Sequence, residues 1–398
     1  MKLLKTLLLT LSLSFAIWAQ LDTTAERFFM YVYFYNSQEN AGARLAFSTD
    51  GERWLKYNDE KPLFKPLICD GDDPLMRDPN IYFDSKTGVF HMTWTTQWRQ
   101  DNIGYSSSKN LKEWSEQVML PLGESVPNCK VCWAPEFFYD DIKDSVMVFW
   151  SLERGTIGKE AFYSMTKDFK HYTEPKTYFR PKNKFGEVYN IIDETLIKVG
   201  PQKYYLFFKD ERDPGQIGGP AKDIHFVFGP TPQGPWWQGP HDSVSYAITK
   251  MFYEGPTAYI YGDELRVVYD PFLTPSSTDR SRVIKLSLLQ GPDAPDSSAW
   301  TTGPVMKDMD GGNFLPSHGS ISEVPKAKVL QLLYNIPDNT PYQSWTPVTQ
   351  DDIVVDKPAA PIREYRLGKR NVGCGTGVGL AFLPPIAFKA FRKRKKKN

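Results

Sequence analysis

A spacing near sixty residues runs through most of this chain and restricts what it can fold into. Ser48-Thr49-Asp50 leads to Trp54, Ser108-Lys109-Asn110 to Trp114, and Thr166-Lys167-Asp168 to Tyr172. A looser Gly234-Pro235 reaches Trp237, and Asp296-Ser297 reaches Trp300. The closing aromatics are 60, 58, 65 and 63 residues apart. Ahead of them lie short apolar runs bounded by turn residues, such as Val89 to Thr95, Ile103 to Ser107, Val146 to Ser151 and Tyr204 to Lys209. These read as short antiparallel strands. A repeat unit of several such strands is the signature of a propeller blade, and five periods predict an all-β, five-bladed β-propeller. A β-sandwich is the competing fold, but sandwiches need no regular period. The 21 Tyr, 25 Phe and 11 Trp, with 28 Gly and 31 Pro, fit many strands broken by turns.

A second series keeps the same period and is polar where a strand should be buried: Asp78, Glu136, Asp193, Glu254 and His318, separated by 58, 57, 61 and 64 residues. The innermost strand of each propeller blade lines the axis, so equivalent positions should converge there. Four carboxylates and an imidazole in one confined site cannot all stay charged, because burial and like charge both raise carboxyl pKa values. One protonated and one ionised carboxyl is what glycoside cleavage requires. Such chemistry needs no redox cofactor. Isolated Asp-Pro or Glu-Gly-Pro segments are more often turns, and only the shared period lifts these residues above that reading.

The short motifs around them are Met76-Arg77-Asp78-Pro79, Trp133-Ala134-Pro135-Glu136, Ile191-Ile192-Asp193, Glu254-Gly255-Pro256 and the later His318-Gly319. As an ordered set over roughly residues 28 to 345 the chain resembles glycoside hydrolase family 43. The resemblance implies a five-bladed propeller and inverting hydrolysis of arabinose- or xylose-containing plant polysaccharide, of the α-L-arabinofuranosidase or β-xylosidase type. It also implies Asp78 as general base, Glu254 as general acid and Asp193 as the group that orients and tunes the acid. For inversion the base and acid carboxyls should stand roughly 6.5 to 9.5 Å apart. The resemblance places His318 near the axis beneath the substrate, where it could touch a structural calcium ion through water, and turns Glu136 toward the site. Arg77 could pair with a site carboxylate; Trp94, Trp98, Trp133 and Phe252 could stack on sugars or fill blade interfaces. Glu194, following Asp193, could also be the tuning group, although strand alternation points it the other way. Two other functions compete. A retaining fructan-type hydrolase would show an early Asn-Asp-Pro motif, and none precedes Asp78; a catalytically silent carbohydrate-binding propeller need not keep all three carboxylates.

Residues 1–19, with Lys2 and Lys5 ahead of an apolar run to Ala19, have the form of a secretory signal peptide. Residues 346–370 read as a linker and 371–398 as a sorting or anchor-like tail, in which an apolar run precedes Arg392 to Lys397. The expected location is secreted or at the cell envelope, through that basic tail. With the tail set aside the net charge of +1 becomes mildly negative, so no nucleic-acid partner is expected; the expected partner is an oligo- or polysaccharide. Four cysteines are too few for a disulfide scaffold. Cys129 and Cys132 form a lone CxxC, read as a local disulfide or free thiols ahead of a metal site.

Overall fold

The computed structural model describes residues 21–69, 73–182, 186–217, 221–237, 247–272, 282–288 and 297–356. The expected signal peptide and basic tail, with Cys374, lie outside the described residues. Five antiparallel sheets stand around one axis as a five-bladed propeller. Blade II is built from Arg77–Asp84, Val89–Thr95, Ile103–Ser108 and Val118–Leu120. Blade III contains Cys129–Asp140, Ser145–Arg154, Gly158–Thr166 and His171–Tyr172, and blade IV Ile191–Gly200, Lys203–Asp210 and Ile224–Gly229. Blade V contains Tyr253–Tyr261, Glu264–Pro271, Arg282–Ser287 and Thr301–Val305. Blade I closes the ring: its inner strand, Gly319–Val324, comes from late in the chain and pairs antiparallel with Phe28–Tyr33, which continues outward to Arg44–Ser48 and Arg53–Lys56.

The repeated Ser/Thr-x-Asp/Asn element has a shared physical cause. Ser48 Oγ accepts hydrogen bonds from Asp50 and Gly51 N–H, and Asp50 Oδ1 accepts from Glu52 and Arg53 N–H. Ser108 with Asn110 and Thr166 with Asp168 do the same. The two side chains satisfy four backbone donors in a tight turn between outer strands, which is why short oxygen-bearing residues recur there. The third turn residue takes positive φ in each case: Gly51 +71°, Leu111 +61° and Phe169 +60°. Trp54 and Tyr172 then close their blades fully buried, whereas Trp237 is 40% exposed and does not serve as a core closer.

Each blade packs its faces against its two neighbours, so strands such as Phe28–Tyr33 and Val89–Thr95 are buried at every position. The core is accordingly five apolar layers, one per blade interface. After the last inner strand, helix Lys326–Tyr334 buries Val329 and Leu332 in the layer between blades I and II. The segment expected to be linker is part of the folded body as far as Asp356. Val348 and Ile353 are buried in the layer between blades II and III, and Gln350 exchanges hydrogen bonds with the Met119 backbone at 2.8 and 2.9 Å. Val354–Val355 pairs in parallel with His171–Tyr172. No helix among the described residues is long and apolar enough to cross a membrane.

Candidate active site

Four inner strands share a local irregularity. Register shifts occur between Arg77 and Asn80, Trp133 and Glu136, Ile192 and Thr195, and Glu254 and Thr257. At each, one residue takes positive φ: Asp78 +48°, Ala134 +46°, Asp193 +58° and Gly255 +60°. A bulge of this kind bends the strand and re-aims side chains at the rim of a sheet. It also sets the true alignment of the blades. Asp78, Ala134, Asp193 and Gly255 are equivalent, and His318 stands at the same height in blade I. Two residues further on, Asn80, Glu136, Thr195, Thr257 and Ser320 form a lower tier. There Asn80 Oδ1 accepts from Phe137 N–H, Thr257 Oγ1 from Ile321 N–H and Ser320 Oγ from Ile81 N–H, tying blade II to III, V to I and I to II.

The sequence series therefore mixes tiers. Asp78, Asp193, Glu254, Arg77, Trp133 and His318 line one axial cavity of about 290 Å³. Glu136 does not: it belongs to the lower tier and lines a separate cavity of about 280 Å³ with Asn80, Thr195, Thr257 and Ser320. Thr195 Oγ1 donates to Glu136 at 3.1 Å, and burial pushes the Glu136 carboxyl up to about 8. The expected substrate contact of Trp94 is likewise corrected. Trp94 is fully buried in the layer between blades I and II, against Phe64. Trp98, past the end of the strand, is the tryptophan that reaches the pocket.

Asp78 accepts a hydrogen bond from Thr95 Oγ1 at 2.8 Å and lies 3.3 Å from His318 Nδ1. Burial alone would raise its pKa, but His318, the Arg77 charge and the Thr95 bond together hold the carboxyl below its ordinary value. His318 is the complement. Burial would lower its pKa, yet the charges of Asp193, Asp78 and Asp270 push it up to about 10, so the ring is a cation at neutral pH. Asp193 accepts from Gly255 N–H at 3.1 Å, and its own N–H is held by Ser151 Oγ at 2.8 Å. Burial, with the charges of Glu254 and Asp78 against the relief of His318 and Lys209, moves its carboxyl up to about 6. Glu194 points away from the pocket, as strand alternation predicts: Ser151 Oγ donates to it at 2.8 Å, and burial raises it to about 8.

Sequence reasoning missed five polar residues of this cavity, Asn36, Lys159, Lys209, Glu211 and Asp270, of which Lys209 and Asp270 stand beside the carboxylates. Lys209 Nζ donates to Glu254 Oε2 at 2.7 Å and lies 3.1 Å from Glu211, and those charges with Asp193 keep it an ammonium despite burial. Asp270, opposite Glu254 on the second strand of blade V, also lines the cavity. The corresponding second-strand positions are Thr95, Ser151, Lys209 and Asp270, opposite Arg77, Trp133, Ile192 and Glu254. They keep the blade period at 56, 58 and 61 residues, a signal that the changing residue types obscure. At the rim, Arg77 donates to Asn36 and Glu39 at 3.1 and 2.7 Å and lies 4.2 Å from the Trp98 ring centroid. Arg77 is thus a rim residue that also lends charge to Asp78.

Calcium takes six to eight oxygen ligands. His318 Nδ1 lies 3.3 Å from Asp78 and 4.0 Å from Asp193, so a calcium ion held beside it through water would draw its oxygen ligands from these carboxylates and from water. Cys129 and Cys132 are free thiols with sulfurs 3.9 Å apart, at a bulge in the inner strand of blade III.

The fold and site together define a five-bladed propeller with an acid–base pocket on its axis. Residues 26–270 match the family described as a probable glycosyl hydrolase domain, related to glycoside hydrolase family 43. The match spans well over half the chain, and the chain belongs to this glycosyl hydrolase family. A curated α-L-arabinofuranosidase of Bifidobacterium longum is 30% identical over 115 residues, which is 25% of this chain and 10% of that protein. The chain thus spans about a tenth of the relative's length. Among solved structures, an endo-1,4-β-xylanase from Bacteroides thetaiotaomicron is similar with a TM-score of 0.49 at 13% identity, covering 72% of this chain and 96% of that one. An α-L-arabinofuranosidase from Lactobacillus brevis gives 0.42 at 14% identity, covering 58% and 73%.

Proposed function

We propose that the axial pocket hydrolyses O-glycosidic bonds of arabinose- or xylose-containing plant polysaccharide with inversion, Asp78 acting as general base and Glu254 as general acid. One observation carries this reading: a single cavity gathers carboxylates from three inner strands whose proton affinities are pulled apart. His318, Arg77 and Thr95 hold Asp78 low, while Asp193 is pushed up to about 6. The depressed Asp78 carboxyl suits the base, and the acid role goes to Glu254 by the resemblance of its Glu254-Gly255-Pro256 segment. Asp78 takes a proton from a water that attacks the anomeric carbon, and Glu254 gives a proton to the departing glycosidic oxygen. The carbon–oxygen bond breaks on the face opposite the new one, and water is the sole co-reactant.

Glu254 is held between two neighbours: Lys209 Nζ donates to its Oε2 at 2.7 Å, and Asp193 accepts from the N–H of the next residue, Gly255, at 3.1 Å. That contact is the basis of the orienting role assigned to Asp193. The name of the Bifidobacterium relative supports arabinose as the sugar. Export by residues 1–19, envelope attachment through residues 371–398 and independence from a cofactor belong to the same proposal.

Aryl arabinofuranosides, xylosides and galactosides, with arabinoxylan and arabinan, are the test substrates for wild type, Asp78→Asn and Glu254→Ala. Turnover of a pentoside by wild type, lost in both variants with the fold retained, is the expected result. A folded wild type that turns over none of them would leave a carbohydrate-binding propeller.

A further inference from the structure

A cavity of about 590 Å³ adjoins the axial pocket and shares two walls with it, Trp98 and Trp133. Its remaining lining is Arg99, Lys130, Val131 and Glu153, from the loop after the second strand of blade II and the first two strands of blade III. The two tryptophans are held in place. Trp133 Nε1 donates to the Trp98 carbonyl at 3.2 Å, and Trp98 Nε1 donates to Glu39 at 3.3 Å while Arg77 lies against its ring. Trp98 is nevertheless 50% exposed, an indole surface fixed at the junction of two cavities. Flat, immobilised aromatic rings suit the apolar faces of sugar rings at little entropic cost. The charged lining is uneven. Arg99 and Lys130 are exposed, and among the described residues neither enters an ion pair; Glu153 is the single acid facing them. Elsewhere around the pocket the cations are spent on acids: Arg77 on Glu39, Lys159 on Glu211 and Lys209 on Glu254.

We propose that this second cavity is a saccharide subsite that selects a carboxylate-bearing sugar, a uronic acid attached to the chain being cut, with Arg99 and Lys130 as the specificity-determining pair. The proposal rests on the hydrolase reading for its link to turnover but not for its binding event. A sugar stacked on Trp98 would put its substituents beside both cations, and the planar Arg99 fork can donate two hydrogen bonds to a carboxylate. The pair is open to water, so its contribution is that of exposed charges and is weakened by salt.

Calorimetric titration of the full chain with glucuronic-acid-substituted xylotetraose and with unsubstituted xylotetraose, in 20 and 500 mM salt, reads the binding event directly. Wild type should prefer the acid-bearing ligand about fivefold in low salt. The preference should shrink in high salt and vanish in the Arg99→Ala/Lys130→Ala double variant. Equal affinity for the two ligands, or a preference that survives the double substitution, overturns the proposal. The kcat/KM ratio for the same two substrates then separates the readings. If binding discriminates while neither substrate is cut, the hydrolase reading fails and the subsite stands. If both are cut with no difference in binding or KM, the subsite fails alone.

Discussion

Replacing Glu136 by Gln tests whether this carboxyl belongs to the substrate pocket or to the tier beneath it. The side chain is 7% exposed and receives a hydrogen bond from Thr195, and burial moves its pKa from an ordinary 4.5 to about 8. Such a group favours folding most at low pH, where folded and unfolded chains both carry the proton. As pH rises past 4.5 the unfolded chain releases its proton and the folded one does not, so stability falls until the folded form also ionises near 8. At pH 7 the interval above 4.5 is 2.5 units, which at about 1.36 kcal/mol per unit is a penalty of up to about 3 kcal/mol. Gln keeps the shape and an acceptor for Thr195 but has no proton to lose. Glu136→Gln should therefore match wild type in urea denaturation near pH 4.5 and exceed it by about 3 kcal/mol at pH 7. It should also retain its KM, because Glu136 does not line the axial cavity. A stability difference that is the same at both pH values would refute the argument from burial, and a large rise in KM would return Glu136 to the substrate.

Lys209→Met removes the charged hydrogen bond that holds Glu254 Oε2 in place and should lower kcat/KM about tenfold in steady-state kinetics with the fold retained, whereas unchanged kinetics would detach Lys209 from the working site. Gly255→Ala would place a Cβ 2.7 Å from His318 Cβ and Cγ and 2.9 Å from Asp270 Oδ1, at a φ of +60°. It should cost about 1–3 kcal/mol of stability and lower kcat through the displaced imidazole, as thermal melts and steady-state kinetics would register.

Much of this architecture can be read from the chain because turn chemistry repeats. Ser48, Ser108 and Thr166 recur with Asp50, Asn110 and Asp168 since each pair must satisfy the same four backbone donors, and that leaves a period in the sequence. The pocket is less legible. The bulges add a residue to four of the five inner strands, so a carboxylate on a sixty-residue spacing need not occupy an equivalent place. Glu136 falls two positions beyond its counterpart of Asp78, and Glu254 one position before. Trp94 and Trp98 differ by four residues, yet one sits in a strand packed between blades and the other beyond the strand's end. Lys209 and Asp270 belong to second strands, where the blade period persists but the residue type changes with the charge each blade must balance. The strap at 346–356 is hard to read in the sequence because it docks through Val348 and a run of only three apolar residues, Ile353 to Val355, which is too short to mark an element.

The central claim is that two carboxylates from different blades act on one bond from opposite faces. The most direct measurement is proton NMR of the first anomer released from an aryl pentoside by the full chain, recorded before mutarotation. The account predicts a product of inverted configuration from wild type and none from Asp78→Asn. A retained product would contradict it, since that outcome requires Asp78 to attack the sugar itself.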